Sequence, residues 1–189
     1  GLGDVYKRQE LLNVLAGTNC KVSFDEKYVK AFNGFDCAFL PSDKMYNECD
    51  IAVAVGGDGT TVKTAKNAAV NGKPTLGING GRLGFLSAVE RNELALIKNV
   101  LDGKYNTEER ILLKATVSDN GVFREEHHCL NDAVVSRGDF ARLVDIAVNS
   151  SGREIITVRA DGIIVSTPTG STAYSLCLLY TSPSPRDRQ

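Results

Sequence analysis

The run DIAVAV at residues 50–55 stops on a pair of glycines and leads directly into a segment of helical spacing. A continuous Val/Ile-rich run of this length reads as a strand buried on both faces, as in a parallel sheet. A strand that ends on glycine and feeds a helix is half of a βα unit, and it commits this part of the chain to an α/β layer. The helix is expected over TVKTAKNAAVNG (61–72), with Val62, Ala65, Ala69 and Val70 near one face and Gly72 where the helix ends. KPTLGIN (73–79) reads as a second apolar strand. ERNELALIKNVL (90–101) reads as an amphipathic helix with Leu94, Ile97, Val100 and Leu101 on one stripe. CKVSF and DCAFLP supply two shorter apolar runs upstream.

The pattern changes near Arg110. From residue 111 to 138, and again from 143 to 168, apolar and polar residues alternate around Asp-Asn-Gly and Asn-Ser-Ser-Gly. Short strands joined by such turns predict hairpins and an all-β unit, a sandwich or a barrel. The fold class that follows is an α/β domain with a parallel sheet over residues 10–105. A β-rich, sandwich-like domain over residues 110–176 is expected after it. Residues 1–9 and 178–189 share neither pattern. The Ser/Pro/Arg-rich end and the GLGDVYKRQ opening are expected to be non-native, leaving the fold incomplete.

Composition narrows the function classes. Of 189 residues, 42% are hydrophobic and 24% charged, enough apolar chain for a core without disulfide staples. A net charge of −1 gives no basic excess of the kind that a nucleic-acid groove or an anionic membrane calls for, so neither partner is expected. No apolar run approaches the roughly 18 residues that span a bilayer, and no leader pattern opens the chain. The five cysteines are scattered without a C-x-x-C pair, so reduced thiols and a cytoplasmic location are expected. His127, His128 and Cys129 are adjacent, but neighbours on a strand point to opposite faces. A structural role is expected for them, and no protein metal site.

Gly56-Gly57-Asp58-Gly59-Thr60 is the sharpest local feature. Glycines let backbone approach a ligand closely, and the N-terminus of the following helix suits a phosphate. Gly56, Gly57, Gly59, Thr60 and Lys63 are therefore expected to bind phosphate. A carboxylate here would repel phosphate if it only lined the loop. Asp58 makes sense as the acceptor of a proton from an attacking hydroxyl, or as a holder of metal-bound phosphate. The plain alternative is a tight turn with Asp58 as helix N-cap.

The string GGDGT resembles the phosphate-binding signature of the superfamily that contains NAD kinases, diacylglycerol-type lipid kinases and phosphofructokinases. Three further stretches narrow it. Leu76-Gly77-Ile78-Asn79 with the GGRLGFL that follows (80–86) resembles the second glycine-rich element of NAD kinases. Asn131-Asp132 resembles that family's N-D or N-E pair. RADGIIVSTPTGSTAYSL (159–176) resembles its long signature, and this block argues against a lipid kinase. The resemblance implies phosphorylation of the 2′-hydroxyl of the adenosine ribose of NAD by ATP or polyphosphate, giving NADP. It implies Asp58 as catalytic base and, with Gly59, as an NAD contact. It assigns Asn131, Asp132 and Arg142 to NAD. It places Arg159 and Asp161 at the nicotinamide side, across a subunit boundary, Thr169 at the adenine edge, and Thr172, Ala173, Tyr174 and Ser175 against the adenosine. Mg²⁺ bound mainly through phosphates is expected, as is a homodimer or homotetramer. In the family the TAYS block is followed by a small-residue and Gly-Gly-Pro stretch with more β-structure, whereas here Cys177 leads into the atypical tail. The alternative is an inactive dinucleotide-binding module.

Overall fold

A computed structural model describes residues 2–80, 84–138 and 142–181. The chain forms two compact units, Gly1–Glu108 and Glu109–Gln189. The first holds helix α1 (Leu2–Leu15), strands β1 (Ser23–Asp25) and β2 (Ala38–Leu40), helix α2 (Ser42–Glu48), strand β3 (Ala52–Gly56), helix α3 (Asp58–Val70), strand β4 (Thr75–Asn79) and helix α4 (Ile97–Leu101). β1 pairs with β2 and β3 with β4, both in parallel. The α/β layer with parallel pairing is thus present, as the strand–glycine–helix pattern requires.

One cluster forms the core of this unit. Leu11 of α1, Val55 of β3, Ile78 of β4, Val89 and Ile97 of α4 are all buried together, with Leu15, Leu76 and Leu94 packed against them. A second group is aromatic: Phe24 stacks on Phe32 with centroids 4.4 Å apart, and Phe39, Tyr28 and Phe35 surround the pair.

Three local expectations are corrected. β3 is not buried on both faces, because Val53 is 44% exposed while Val55 on the same face is covered. The face therefore has cover only towards the end that meets α3. On α3 the buried residues are Thr61 and Ala68, and Val70 is 63% exposed, so the packed stripe is rotated away from the expected one. Apolar identity at Ala69 and Val70 misled there, since a small helix face against a sheet is well served by Thr and Ala. The helix expected over 90–101 is a 3₁₀ segment (Arg91–Leu96) that leaves helical geometry at Glu93 before α4 begins. Gly72 does close α3, with φ of +65° one residue beyond the cap. α1 runs unbroken across the expected boundary at residues 9 and 10.

Among the described residues, the second unit contains three antiparallel pairs. β5 (Leu113–Asp119) and β6 (Val122–Cys129) form a hairpin, as do β8 (Val144–Ser150) and β9 (Arg153–Ala160). β7 (Asp132–Ser136) pairs with β10 (Gly162–Ser166). The turns have left-handed backbone at Asn120-Gly121 and Ser151-Gly152, the two-residue connection that matches strand twist. Each hairpin carries a bulge, between Val117 and Ser118 and between Val148 and Asn149. A 3₁₀ turn (Gly170–Thr172) and helix α5 (Tyr174–Thr181) follow β10. His127 pairs with Glu125 and His128 lies near Glu126, so successive histidines use opposite faces of β6. The tail beyond Thr181 lies outside the described residues.

Candidate functional site

β3 and β4 place two glycine-containing loops side by side in the first unit. The N–H of Gly80 donates to the carbonyl of Gly56 at 2.8 Å. A Cβ on Gly80 would stand 2.8 Å from the Cα of Gly56, so only glycine permits this approach. A Cβ on Gly56 would stand 2.7 Å from Oγ1 of Thr60. Gly57 and Gly59 differ, because a Cβ on either would meet nothing within 4 Å. Both are exposed, and the space above them lies at the first turn of α3. That space is where a helix N-terminus presents N–H groups to an anion. Lys63, one turn further on, is exposed.

Asp58 is not the N-cap. Gly57 holds that position and makes no side-chain cap, and α3 begins at Asp58 itself. The carboxylate reaches instead to the second loop. The N–H of Phe85 donates to Oδ2 at 3.1 Å and the N–H of Leu86 to Oδ1 at 3.2 Å. Two amides from one turn thus fix the plane of the carboxylate. Each oxygen retains acceptor capacity, since a carboxylate offers about four lone-pair sites. The second loop is anchored by Asn79, whose side-chain amide donates to Glu90 Oε2 at 2.9 Å, and by Ala88 N–H to the carbonyl of Gly77. Gly81, Arg82 and Leu83 of the expected second element lie outside the described residues.

In the second unit, Asn131 and the TPTGST loop come together. The carbonyl of Asn131 accepts from Thr167 N–H at 2.8 Å, and Thr167 Oγ1 donates to the carbonyl of Leu130 at 2.6 Å. Gly170 sits so close to the Asn131 backbone that a side chain could not fit. Asn131 Oδ1 is buried with no hydrogen-bond partner among the described residues. Asp132 opens β7 opposite Ser166. Thr169 Oγ1 accepts from Arg110 Nη1 at 3.2 Å, and Thr172 Oγ1 donates to the carbonyl of Thr169 at 3.4 Å. Ala173 N–H donates to the carbonyl of Gly170, and α5 starts at Tyr174, which is exposed, with Ser175 half-buried behind it.

Arg159 and Asp161 both carry partners that sequence reasoning missed. Asp145 accepts from Nε and Nη2 of Arg159 at 2.8 and 3.0 Å. That hydrogen-bonded guanidinium holds the Asp145 carboxyl below its ordinary range, with the charge of Arg159 adding to it. Arg137 Nε donates to Oδ1 of Asp161 at 2.6 Å, and its backbone N–H donates to the Asp161 carbonyl. Arg142 is exposed in the approach to β8. The hairpin turn at Ser151-Gly152 could have suggested a partner for Arg159. Regular counting from it sets Arg159 against Val144, and the bulge is what moves it opposite Asp145.

The first unit is an α/β layer of parallel strand pairs with a carboxylate-bearing glycine loop between β3 and α3, and the second is built of antiparallel pairs with a Thr/Ser/Gly loop after β10. Residues 8–108 match the family model of the ATP-NAD kinase N-terminal domain, and residues 130–177 match that of the ATP-NAD kinase C-terminal domain. The chain belongs to the ATP-NAD kinase family. An NAD kinase of Symbiobacterium thermophilum is 46% identical over 137 residues, covering 72% of this chain and 48% of that protein. An NAD kinase of Alcanivorax borkumensis is 36% identical over 173 residues, covering 91% of this chain and 58% of that protein. The chain thus spans about half the length of these curated relatives. Among solved structures, yeast NADH kinase complexed with NADH shares the fold with a TM-score of 0.83 at 23% identity, over 92% of this chain and 56% of that one. An NAD kinase from Archaeoglobus fulgidus in complex with ATP matches with a TM-score of 0.55 at 32% identity, over 80% of this chain and 58% of that one.

Proposed function

We propose that the protein is an NAD kinase, transferring the terminal phosphate of ATP to the 2′-hydroxyl of the adenosine ribose of NAD. The observation that carries this is the Asp58 carboxylate, fixed by two amides of the neighbouring loop at the first turn of a phosphate-binding helix. In the reaction the ribose oxygen forms a bond to the γ-phosphorus. The bond from that phosphorus to the β,γ-bridging oxygen breaks, ADP leaves, and the hydroxyl proton passes to Asp58. Gly56, Gly57, Gly59, Thr60 and Lys63 form the phosphate-binding group. Asn131, Asp132, Arg142, Arg159, Asp161, Thr169, Thr172, Ala173, Tyr174 and Ser175 are the proposed NAD contacts, alongside Asp58 and Gly59. The names of the similar proteins, an NAD kinase, an NADH kinase complexed with NADH and an NAD kinase in complex with ATP, support these substrates.

Asp58 is the one carboxylate in the phosphate loop, and among the described residues no group of three or more His, Cys, Asp or Glu could hold a metal. This donor set suits Mg²⁺ carried on phosphate oxygens rather than in a protein cage. When bound, the ion offsets charge on the transferring phosphate. Cys20, Cys37, Cys49 and Cys129 carry no disulfide among the described residues, which supports a reducing, cytoplasmic setting. Among the described residues no helix is long and apolar enough to cross a membrane. Exposed apolar side chains on the strands of the second unit, among them Val135 and Ile156, support assembly as a homodimer or homotetramer.

Asp58→Asn tests the reading. NAD binding by calorimetry should persist, while NADP formation from ATP should fall by about 10²-fold or more, the usual contribution of a general base. Near-normal turnover would remove Asp58 from the role. NAD binding by the parent chain without any NADP formation would favour the dinucleotide-binding module. Running ATP and polyphosphate side by side in the same assay assigns the donor.

A further inference from the structure

Two side-chain atoms are buried without a hydrogen-bond partner among the described residues, Ser87 Oγ and Asn131 Oδ1. Asn131 already belongs to the proposed NAD contacts. Ser87 has no such assignment, and a buried hydroxyl without a partner is costly unless something else calls for it. It follows directly on Phe85 and Leu86, whose amides hold the Asp58 carboxylate. It also faces the same point in space as that carboxylate. A Cβ on Gly84 would stand 2.9 Å from Asp58 Oδ1 and 3.1 Å from Ser87 Oγ. Glycine at 84 therefore keeps the ground between the two oxygens clear. The backbone beside Ser87 is held to β4, because the N–H of Ala88 donates to the carbonyl of Gly77 at 2.9 Å.

We propose that Ser87 is a positioning residue for Asp58, its hydroxyl donating to Oδ1 beside the two loop amides when substrate is bound. This rests on the reading of Asp58 as the proton acceptor. Oδ1 has accepting capacity beyond the Leu86 amide. The contact requires the Ser87 hydroxyl to close on Oδ1 across the ground that Gly84 leaves open. Ser87 keeps its proton throughout, and the only proton that moves is the one from the ribose hydroxyl to Asp58. The gain is orientation, since a third donor removes the remaining freedom of the carboxylate and holds it in the geometry of attack.

The test uses the full chain with Ser87→Ala, Ser87→Thr and Ser87→Cys. Exchange of the Phe85 and Leu86 amide protons is followed by NMR with NAD present, and kcat and KM for NAD are measured in parallel. Ser87→Ala should speed exchange of both amides by about fivefold or more, as expected when a hydrogen bond to a charged group is lost. It should lower kcat by about tenfold while KM for NAD stays within about twofold, the signature of lost orientation rather than lost binding. Ser87→Thr should restore both readings, and Ser87→Cys, close in volume but a weak donor, should behave like alanine. Unchanged amide exchange in Ser87→Ala, or a threonine variant as impaired as alanine, overturns the proposal. The two readings fail separately: full turnover in Asp58→Asn sinks the proton-acceptor role, whereas the amide exchange still decides whether Ser87 holds Asp58.

Discussion

Gly77 and Gly80 are hemmed in by backbone, whereas Gly57 and Gly59 face open space. On Gly77 a Cβ would stand 2.6 Å from the carbonyl oxygen of Leu86, and on Gly80 it would press on Gly56. Gly77→Ala and Gly80→Ala should therefore destabilise by about 1–3 kcal/mol, the range for overpacking, and this is read from urea unfolding midpoints. Gly59→Ala should do the opposite. Gly59 sits in the first turn of α3, where alanine is the better helix former by roughly 0.5–1 kcal/mol. Thermal unfolding should show a variant as stable as the parent or more so, while calorimetry shows weaker ATP binding because the methyl group stands in the proposed phosphate space. A variant that lost stability and kept ATP affinity would place the phosphate elsewhere. The sequence alone treated the glycines of the loop as equivalent, because composition records a missing side chain but not what its absence is for.

At the scale of elements, the connection after β1 depends on Asp25. Its carboxylate accepts from the N–H of Lys27 at 3.1 Å as cap of the 3₁₀ turn Glu26–Ala31, from Lys27 Nζ at 2.8 Å, and from the hydroxyl of Ser42 at the start of α2. The Lys27 side chain and then the Ser42 hydroxyl pull its carboxyl down to about 2, from an ordinary value of 3.8. A depressed folded-state value stabilises the fold above the unfolded-state value and loses that contribution as pH falls through the folded one. Asp25→Ala should thus cost about 1 kcal/mol at neutral pH, a normal loss for a helix cap. The gap between variant and parent should close between pH 3.8 and about 2 in denaturation series run at each pH. A gap that persisted undiminished at pH 2 would show that the carboxylate charge is not the cause. The hairpins illustrate the other side of element-level reading. Their turns were legible from Asn-Gly and Ser-Gly, but the bulge that sets Asp145 against Arg159 was not. Inserting a residue in the ladder changes every later pair, and no local residue type announces it.

Across the whole molecule, burial is distributed unevenly. Among the described residues, the buried apolar side chains of the first unit include Leu11, Leu12, Phe32, Val55, Ile78, Val89 and Ile97, whereas the second unit contributes Leu130. Val134, Val135, Ile155, Ile156 and Val165 remain exposed on its strands. Native-state hydrogen exchange should therefore find the slowest amides in β3 and β4. The hairpins β5–β6 and β8–β9 should open at a lower free energy, since two-stranded hairpins alone are marginally stable. Equal protection across both units would contradict this. The sequence by itself determined the α/β beginning, the antiparallel continuation, the glycine loop between β3 and α3 and the family, because period, turn chemistry and a long specific string are local properties of the chain. Only the tertiary structure decided that Asp58 turns away from its own helix to take the amides of Phe85 and Leu86, that Gly80 meets Gly56, and that Arg159 faces Asp145. Each of those joins residues far apart in the chain, and packing fixes their separation where spacing along the sequence cannot.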